Sequence, residues 1–203
     1  MGAGTAPRAA ARLDRERVVR GALALLDEVG LDGLTLRRLA DDLGVKAPAL
    51  YWHFASKADL LAEMATTMLR DLIEGAAWDE ATAAGEPWQE CVRESAANVR
   101  AMLLGRRDGA RVFSGATVSG DRLREAIAEP LEILTAAGFS TEDATRAWGT
   151  LLSYVLGFAI EEQSAGSARA AAAGEDSTDR FTFGVDVVVA GLEERLRLAS
   201  ETW

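Results

Sequence analysis

The side chains with the most recognisable chemistry lie between Arg37 and Lys57: Arg37, Lys46, the run Ala47-Pro48-Ala49, then Tyr51, Trp52, His53 and Lys57. Together they suit a polyanionic duplex. A guanidinium at Arg37 can reach a guanine edge bidentately or a phosphate, and Lys46 is a candidate for either. Ala47, Pro48 and Ala49 would face base edges and offer small apolar contacts such as a thymine methyl. Tyr51 and His53 would donate to phosphates, Lys57 would meet a phosphate at a helix N-terminus, and Trp52 is expected to pack and to line the backbone. The competing reading makes Tyr51, Trp52 and His53 ordinary aromatic residues of a helical bundle, since aromatic clusters are common in cores. Enzyme chemistry has little to build on. There is no metal-ligand spacing, phosphate loop or nucleophile–base pair, and the only histidine, His53, and only cysteine, Cys91, stand in different segments.

The elements that must position these residues are legible around them. Leu36, Leu39, Ala40 and Leu43 form the buried stripe of a short helix with Thr35 as its N-cap. Gly44 can take the left-handed conformation of a tight turn. Pro48 then sits near the start of the next helix, where its missing N–H costs little. Ahead of the pair, Asp14 can cap a helix whose apolar face is Val18, Ala22, Leu25, Leu26 and Val29, closed by Gly30 and Gly33. With Val45 and Leu50 this makes a three-helix core over residues 14–57: a helix-turn-helix, whose second helix enters a major groove while the first braces it. Residues 1–13 read as a flexible basic arm.

Residues 58–203 read as a larger helical domain. Ser56 caps a helix from Lys57 to about Gly75, with Leu60, Leu61, Met64, Met68 and Leu72 apolar. A loop-like stretch follows to Glu86, and Pro87 opens a helix to Leu104. Glycines break 106–120 into a short helix and loops, a helix over 121–137 stops at Gly138, and Ser140 starts another to about Gln163. The stretch 164–179 is small and polar and is expected to be mobile. Phe181, Phe183, Val185 and Val187 alternate like a strand, but a lone strand would lack a partner, so the last segment, 180–200, is expected to be helical. The fold class expected is therefore all-α.

A net charge of −10 argues against nucleic acid until the chain is divided. Residues 1–57 carry nine Lys/Arg against seven Asp/Glu, and the remainder thirteen against twenty-five. The basic balance falls on the segment with the duplex-facing side chains. Cys91 is alone, which forbids an intrachain disulfide and points to a small buried helix residue. No apolar run approaches the roughly 20 residues of a membrane span. No signal-like leader is seen, and a cytoplasmic protein with no membrane partner is expected.

The residues now in hand resemble the TetR family of bacterial transcriptional regulators, and within it the tetracycline-repressor class. The likeness rests on Ala40-Asp41-Asp42-Leu43-Gly44-Val45 and Leu50-Tyr51-Trp52-His53-Phe54 with Lys57. It extends to Arg12-Leu13-Asp14, Leu104-Gly105-Arg106-Arg107-Asp108-Gly109-Ala110, Gly138-Phe139-Ser140, and Phe183-Gly184 followed by Gly191-Leu192-Glu193. The stretch 164–179 is shorter than its counterpart, which leaves open whether it gates a pocket. The resemblance implies a ligand pocket with Ile73, Ser95, Val99, Phe113, Thr117 and Pro130, joined by Ser153 and Glu161 from a neighbouring subunit. A solvated helix-face carboxylate is the competing reading of Glu161.

Phe113 and Ile73 stand where that class carries pocket histidines, one of them a metal ligand. With no imidazole there, magnesium-tetracycline is not the expected inducer, and neither metal nor cofactor is expected. Polar side chains of that class match Ala47 and Ala49, so the operator is expected to differ. The resemblance also implies a homodimer through the helices 141–163 and 180–200. Gly149, Ser153 and Gly157 would let helices approach closely, and Val187, Val188, Gly191, Leu192 and Leu196 would supply an apolar face. Packing inside one subunit is the alternative, because an amphipathic face does not name its partner.

The function expected is a dimeric repressor on a palindromic operator, released by a small organic ligand. A DNA-bound regulator with no small-molecule ligand, and an activator, are the other readings. A small helical enzyme is the rival from another class.

Overall fold

The computed structural model describes residues 13–75, 87–116, 120–164 and 176–201. All but the last residue of the expected basic arm, pocket residue Thr117, and most of 164–179 lie outside that range. The described elements are α-helices: α1 (Arg15–Gly33), α2 (Leu36–Asp42), α3 (Ala47–Tyr51), α4 (Lys57–Gly75), α5 (Trp88–Leu104), α6 (Gly109–Gly115), α7 (Gly120–Ala136), α8 (Thr141–Glu162) and α9 (Ser177–Ser200). Among the described residues no helix is long and apolar enough to cross a membrane.

Several helices start where a side-chain oxygen satisfies an orphan amide, whereas α3, α5 and α6 begin without a side-chain cap. Asp14 accepts from the Arg17 amide at 2.8 Å, Thr35 from Arg38 at 3.2 Å, Ser56 from Asp59 at 3.1 Å and Ser140 from Asp143 at 3.1 Å. Gly44, with φ +67°, makes the turn between α2 and α3. Gly30, with φ +71° and ψ 172°, kinks α1 before its last three residues. The strand-like alternation after Arg180 is overruled by a helical stripe in the same segment. Phe181, Val185, Val189 and Leu192 are all buried along one face of α9.

Two apolar cores result. One joins α1, α2 and α3 to Leu60, Met64 and Met68 of α4, and Val112 of α6 is buried within it. The other joins α5, α7, α8 and α9 around Val99, Leu103, Trp148, Leu151 and Phe181, with Leu72 of α4 packed against it. α4 is therefore shared. Its first half belongs to the helix-turn-helix and its last turns to the larger bundle, as far as about 28 Å apart at 1.5 Å per residue.

Candidate nucleic-acid interface and ligand cavity

α3 is only five residues long, yet its side chains divide cleanly. Leu50 and, just beyond, Phe54 are fully buried and pin the helix to the core. Lys46, Pro48, Tyr51 and Trp52 are exposed, with Ala47, Ala49 and His53 half-buried beside them. Arg37 is exposed on α2. α2 and α3 pack on one another. Trp52 departs from expectation: at 90% exposed it packs against nothing in the chain and offers its ring to solvent. The reason is geometric, since Trp52 follows Tyr51 off the C-terminus of α3 while Leu50 and Phe54 turn inward.

His53 and Lys57 are tied to the scaffold as well. Arg15 donates through Nη1 to the His53 carbonyl at 2.5 Å and lies over the Phe54 ring at 4.4 Å. Lys57 Nζ donates to the Leu31 carbonyl at 2.9 Å, joining the start of α4 to the end of α1. An ammonium has three donors, so this bond leaves two for a phosphate.

The larger bundle encloses an apolar cavity of about 70 Å³, opening between α4, α5, α6, α7 and α8. Of the expected pocket residues, Ile73, Val99, Phe113 and Pro130 line it. Ser95 is buried on α5 outside this wall and donates to the Cys91 carbonyl at 2.7 Å. Cys91 is buried, as a small helix residue should be. Ser153 and Glu161 are exposed on α8, and Glu161 accepts from Arg180 of the same chain at 2.9 Å. Sequence reading missed Leu72, Met102, Trp148, Glu125 and Glu129, all in the cavity wall. Their helical phase marks them only as core-facing or half-exposed, so no local signal distinguishes a cavity wall from a filled core.

A polar junction connects the bundle to the helix-turn-helix, at the α5–α6 turn. Gln163, capping the end of α8, donates to the Leu103 and Arg106 carbonyls at 3.1 and 2.7 Å and accepts from the Ala110 amide at 3.0 Å. On the other side of the turn, Arg106 meets Asp27 at 2.6 Å, and Arg107 donates to the Glu28 carbonyl at 2.8 Å. Asp108 accepts from the Leu31 amide at 2.8 Å and from Arg111 at 3.1 Å. The Leu31 amide bond, aided by Arg111 and Arg107 and opposed by partial burial, holds the Asp108 carboxyl below the usual carboxylate range. Asp108 itself is left-handed, φ +57°, which an Asp tolerates. Gly109 is required beside it, because a Cβ there would fall 2.3 Å from the Leu103 carbonyl oxygen.

The outer faces of α8 and α9 differ from expectation in part. Gly149, Ser153 and Gly157 are exposed, in accord with a stripe that faces away from the subunit. On α9, however, Leu192 is buried, and Val188 and Leu196 are partly buried against the bundle core. Val187 of the expected face is exposed at 56%, and Phe183, at 72%, and Leu198 are also exposed on this helix. The inward stripe is the one that starts at Phe181, and it takes Leu192 with it.

The chain matches two sequence families along most of its length. "Bacterial regulatory proteins, tetR family" covers residues 18–64, and "Tetracyclin repressor-like, C-terminal domain" covers residues 81–174. Tetracycline repressor protein class C of Escherichia coli is 38% identical over 191 residues, spanning 94% of this chain and 83% of the relative. A TetR variant from Acinetobacter baumannii AYE, solved in complex with minocycline, is 35% identical with a TM-score of 0.75, over 90% of this chain and 98% of that one. BioQ, solved with its natural double-stranded DNA operator, is 35% identical with a TM-score of 0.67, over 89% of this chain and 98% of that one. These relatives are regulators rather than enzymes. With the three-helix reader, the helical bundle and this coverage in hand, the chain belongs to the TetR family of transcriptional regulators.

Proposed function

We propose that this protein is a cytoplasmic repressor that binds a palindromic operator as a homodimer and is released by a small organic molecule in the bundle cavity. One observation carries the reading: α4 ends in the cavity wall at Leu69, Leu72 and Ile73 and begins at Lys57, six residues after α3. A ligand that widens the cavity by moving α4 or α6 would re-aim α3. The Gln163–Asp108 junction supports this, because it ties α6 to α1 through hydrogen bonds that have one good geometry. BioQ with its operator and the TetR variant with minocycline are relatives for which DNA and ligand are named, and both lend weight to the same pair of partners here.

Arg37, Lys46, Ala47, Pro48, Ala49, Tyr51, Trp52, His53 and Lys57 are the proposed duplex contacts. Two reader domains are needed because one α3 spans few base pairs. The apolar wall, with Phe113 and Ile73 in it, favours an organic ligand over a magnesium chelate. At about 70 Å³ the cavity must widen to admit a drug-sized molecule, and Met102 in its wall is a side chain that repacks readily. The small volume also favours the second reading, a regulator with no small-molecule ligand.

The deciding experiment is fluorescence anisotropy on the intergenic DNA beside the protein's own coding region. Saturation at two chains per site, with release by a small molecule, is expected. Failure to bind that DNA would defeat the proposal. Binding that no small molecule relieves would leave the second reading.

A further inference from the structure

The cavity wall is apolar except at a few places, and those places define what it can hold. Trp148 is part of the wall, 7% exposed, and its Nε1–H is buried without a hydrogen-bond partner among the described residues. An indole N–H can only donate, and a buried donor left unsatisfied is costly. Of the other wall residues, Leu72, Val99, Phe113 and Leu152 provide no acceptor side chain, and the Met102 thioether is only a weak one. Glu125 and Glu129, one turn apart on α7, also line the cavity, and an adjoining notch adds Glu74 and Arg70. No cationic side chain is among the described residues of the cavity wall itself.

We infer that the cavity takes an apolar, ring-bearing molecule whose acceptor oxygen, a carbonyl or ether, sits on Trp148 Nε1–H, and that this molecule is not an anion. The inference rests on the reading of this cavity as the regulatory ligand site. It deepens that reading by giving the ligand a polarity. The oxygen supplies the missing acceptor, the rings replace water against Phe113 and the aliphatic wall, and a wall with no cation among its described residues leaves a negative group uncompensated for its lost water.

Three naphthalenes test it on the full chain by calorimetry: 2-acetonaphthone, 2-ethylnaphthalene and 2-naphthoate. Acetonaphthone carries the acceptor, ethylnaphthalene lacks it, and naphthoate adds negative charge. The acetonaphthone-to-ethylnaphthalene affinity ratio is expected to fall about fivefold or more in Trp148→Phe, which keeps a ring and loses the donor. Comparing that ratio between the two proteins cancels the probes' different hydrophobicity. Naphthoate is expected to bind most weakly. In the wild-type chain the Trp148 indole N–H resonance should move downfield with acetonaphthone and not with ethylnaphthalene, which reads the same bond should the variant fail to fold.

An unchanged ratio, an unmoved resonance, tighter binding of naphthoate, or no binding of any probe would overturn the inference. Operator anisotropy run in parallel separates the two readings. Probes that release DNA without preferring the acceptor leave ligand-controlled repression standing and remove only this inference. Acetonaphthone bound with the expected ratio, but with operator affinity unchanged, does the reverse.

Discussion

Arg37 and Trp52 are exposed on the reader domain, and neither contributes to the apolar core. Their substitution therefore separates recognition from folding. Arg37→Ala should weaken operator binding by about 1–3 kcal/mol while leaving random DNA less affected, as a lost base-edge contact requires. Equal loss on both sequences in anisotropy titrations would remove Arg37 from base readout. Trp52→Ala should leave the melting temperature within error, because a ring 90% exposed has almost no burial to lose. Its operator affinity should nevertheless fall. A large drop in melting temperature instead would mean that the ring is packed in solution. These residues were readable in the sequence because a reader helix is a local object: a capped brace, a glycine turn and a proline-started helix lie within a few turns of chain. Trp148 was not. Its place in the cavity wall depends on α4, α5, α6 and α7 arriving from elsewhere, and no pattern near residue 148 reports that.

At the scale of elements, the α5–α6 turn is the junction on which both domains depend. Gly30 faces it. A Cβ at Gly30 would lie 2.9 Å from Asp108 Oδ2 and 3.1 Å from Arg107 Nε, in a backbone region that is almost glycine-only. Gly30→Ala should destabilise the protein by about 1–3 kcal/mol, read from denaturant midpoints. An unchanged midpoint would show that the kink is not held in solution.

Asp108 adds a pH dependence of known sign. Its folded pKa is depressed, foremost by the Leu31 amide. Its contribution is thus present above the unfolded value of about 3.9 and is lost as pH falls through the lower folded value. Asp108→Asn should therefore narrow the gap in stability between neutral and strongly acidic solution. A variant with the same acid profile as the parent would exclude Asp108 from that linkage. The sequence marked 104–110 through resemblance and marked 106–120 as broken by glycines. It did not reveal that Gln163, more than fifty residues away, holds the turn.

For the whole molecule, the decisive surface is the outer face of α8 and α9. Gly149 and Gly157 have nothing within 4 Å of where a Cβ would stand, and Phe183 and Val187 are exposed on the neighbouring helix. In the proposed dimer this face is covered. Phe183→Asp should give a monomer by light scattering with little change in far-ultraviolet helicity, and operator affinity should fall on the order of 100-fold as bivalence is lost. A variant that remains dimeric would place the interface elsewhere.

What the sequence determined by itself was everything encoded within a few helical turns. That includes the caps at Asp14, Thr35, Ser56 and Ser140, the left-handed turn at Gly44, the helical identity of the segments and the confinement of basic balance to the reader. These depend on backbone hydrogen bonding and side-chain period, which neighbours in the chain control. Tertiary structure alone decided that Val112 completes the reader's core, that Leu192 turns inward while Phe183 turns out, and that Trp148 joins Ile73, Val99 and Phe113 around one cavity. The physical reason is that burial is non-directional: an apolar stripe specifies that it must be covered, and only the packing of the remaining helices specifies by what.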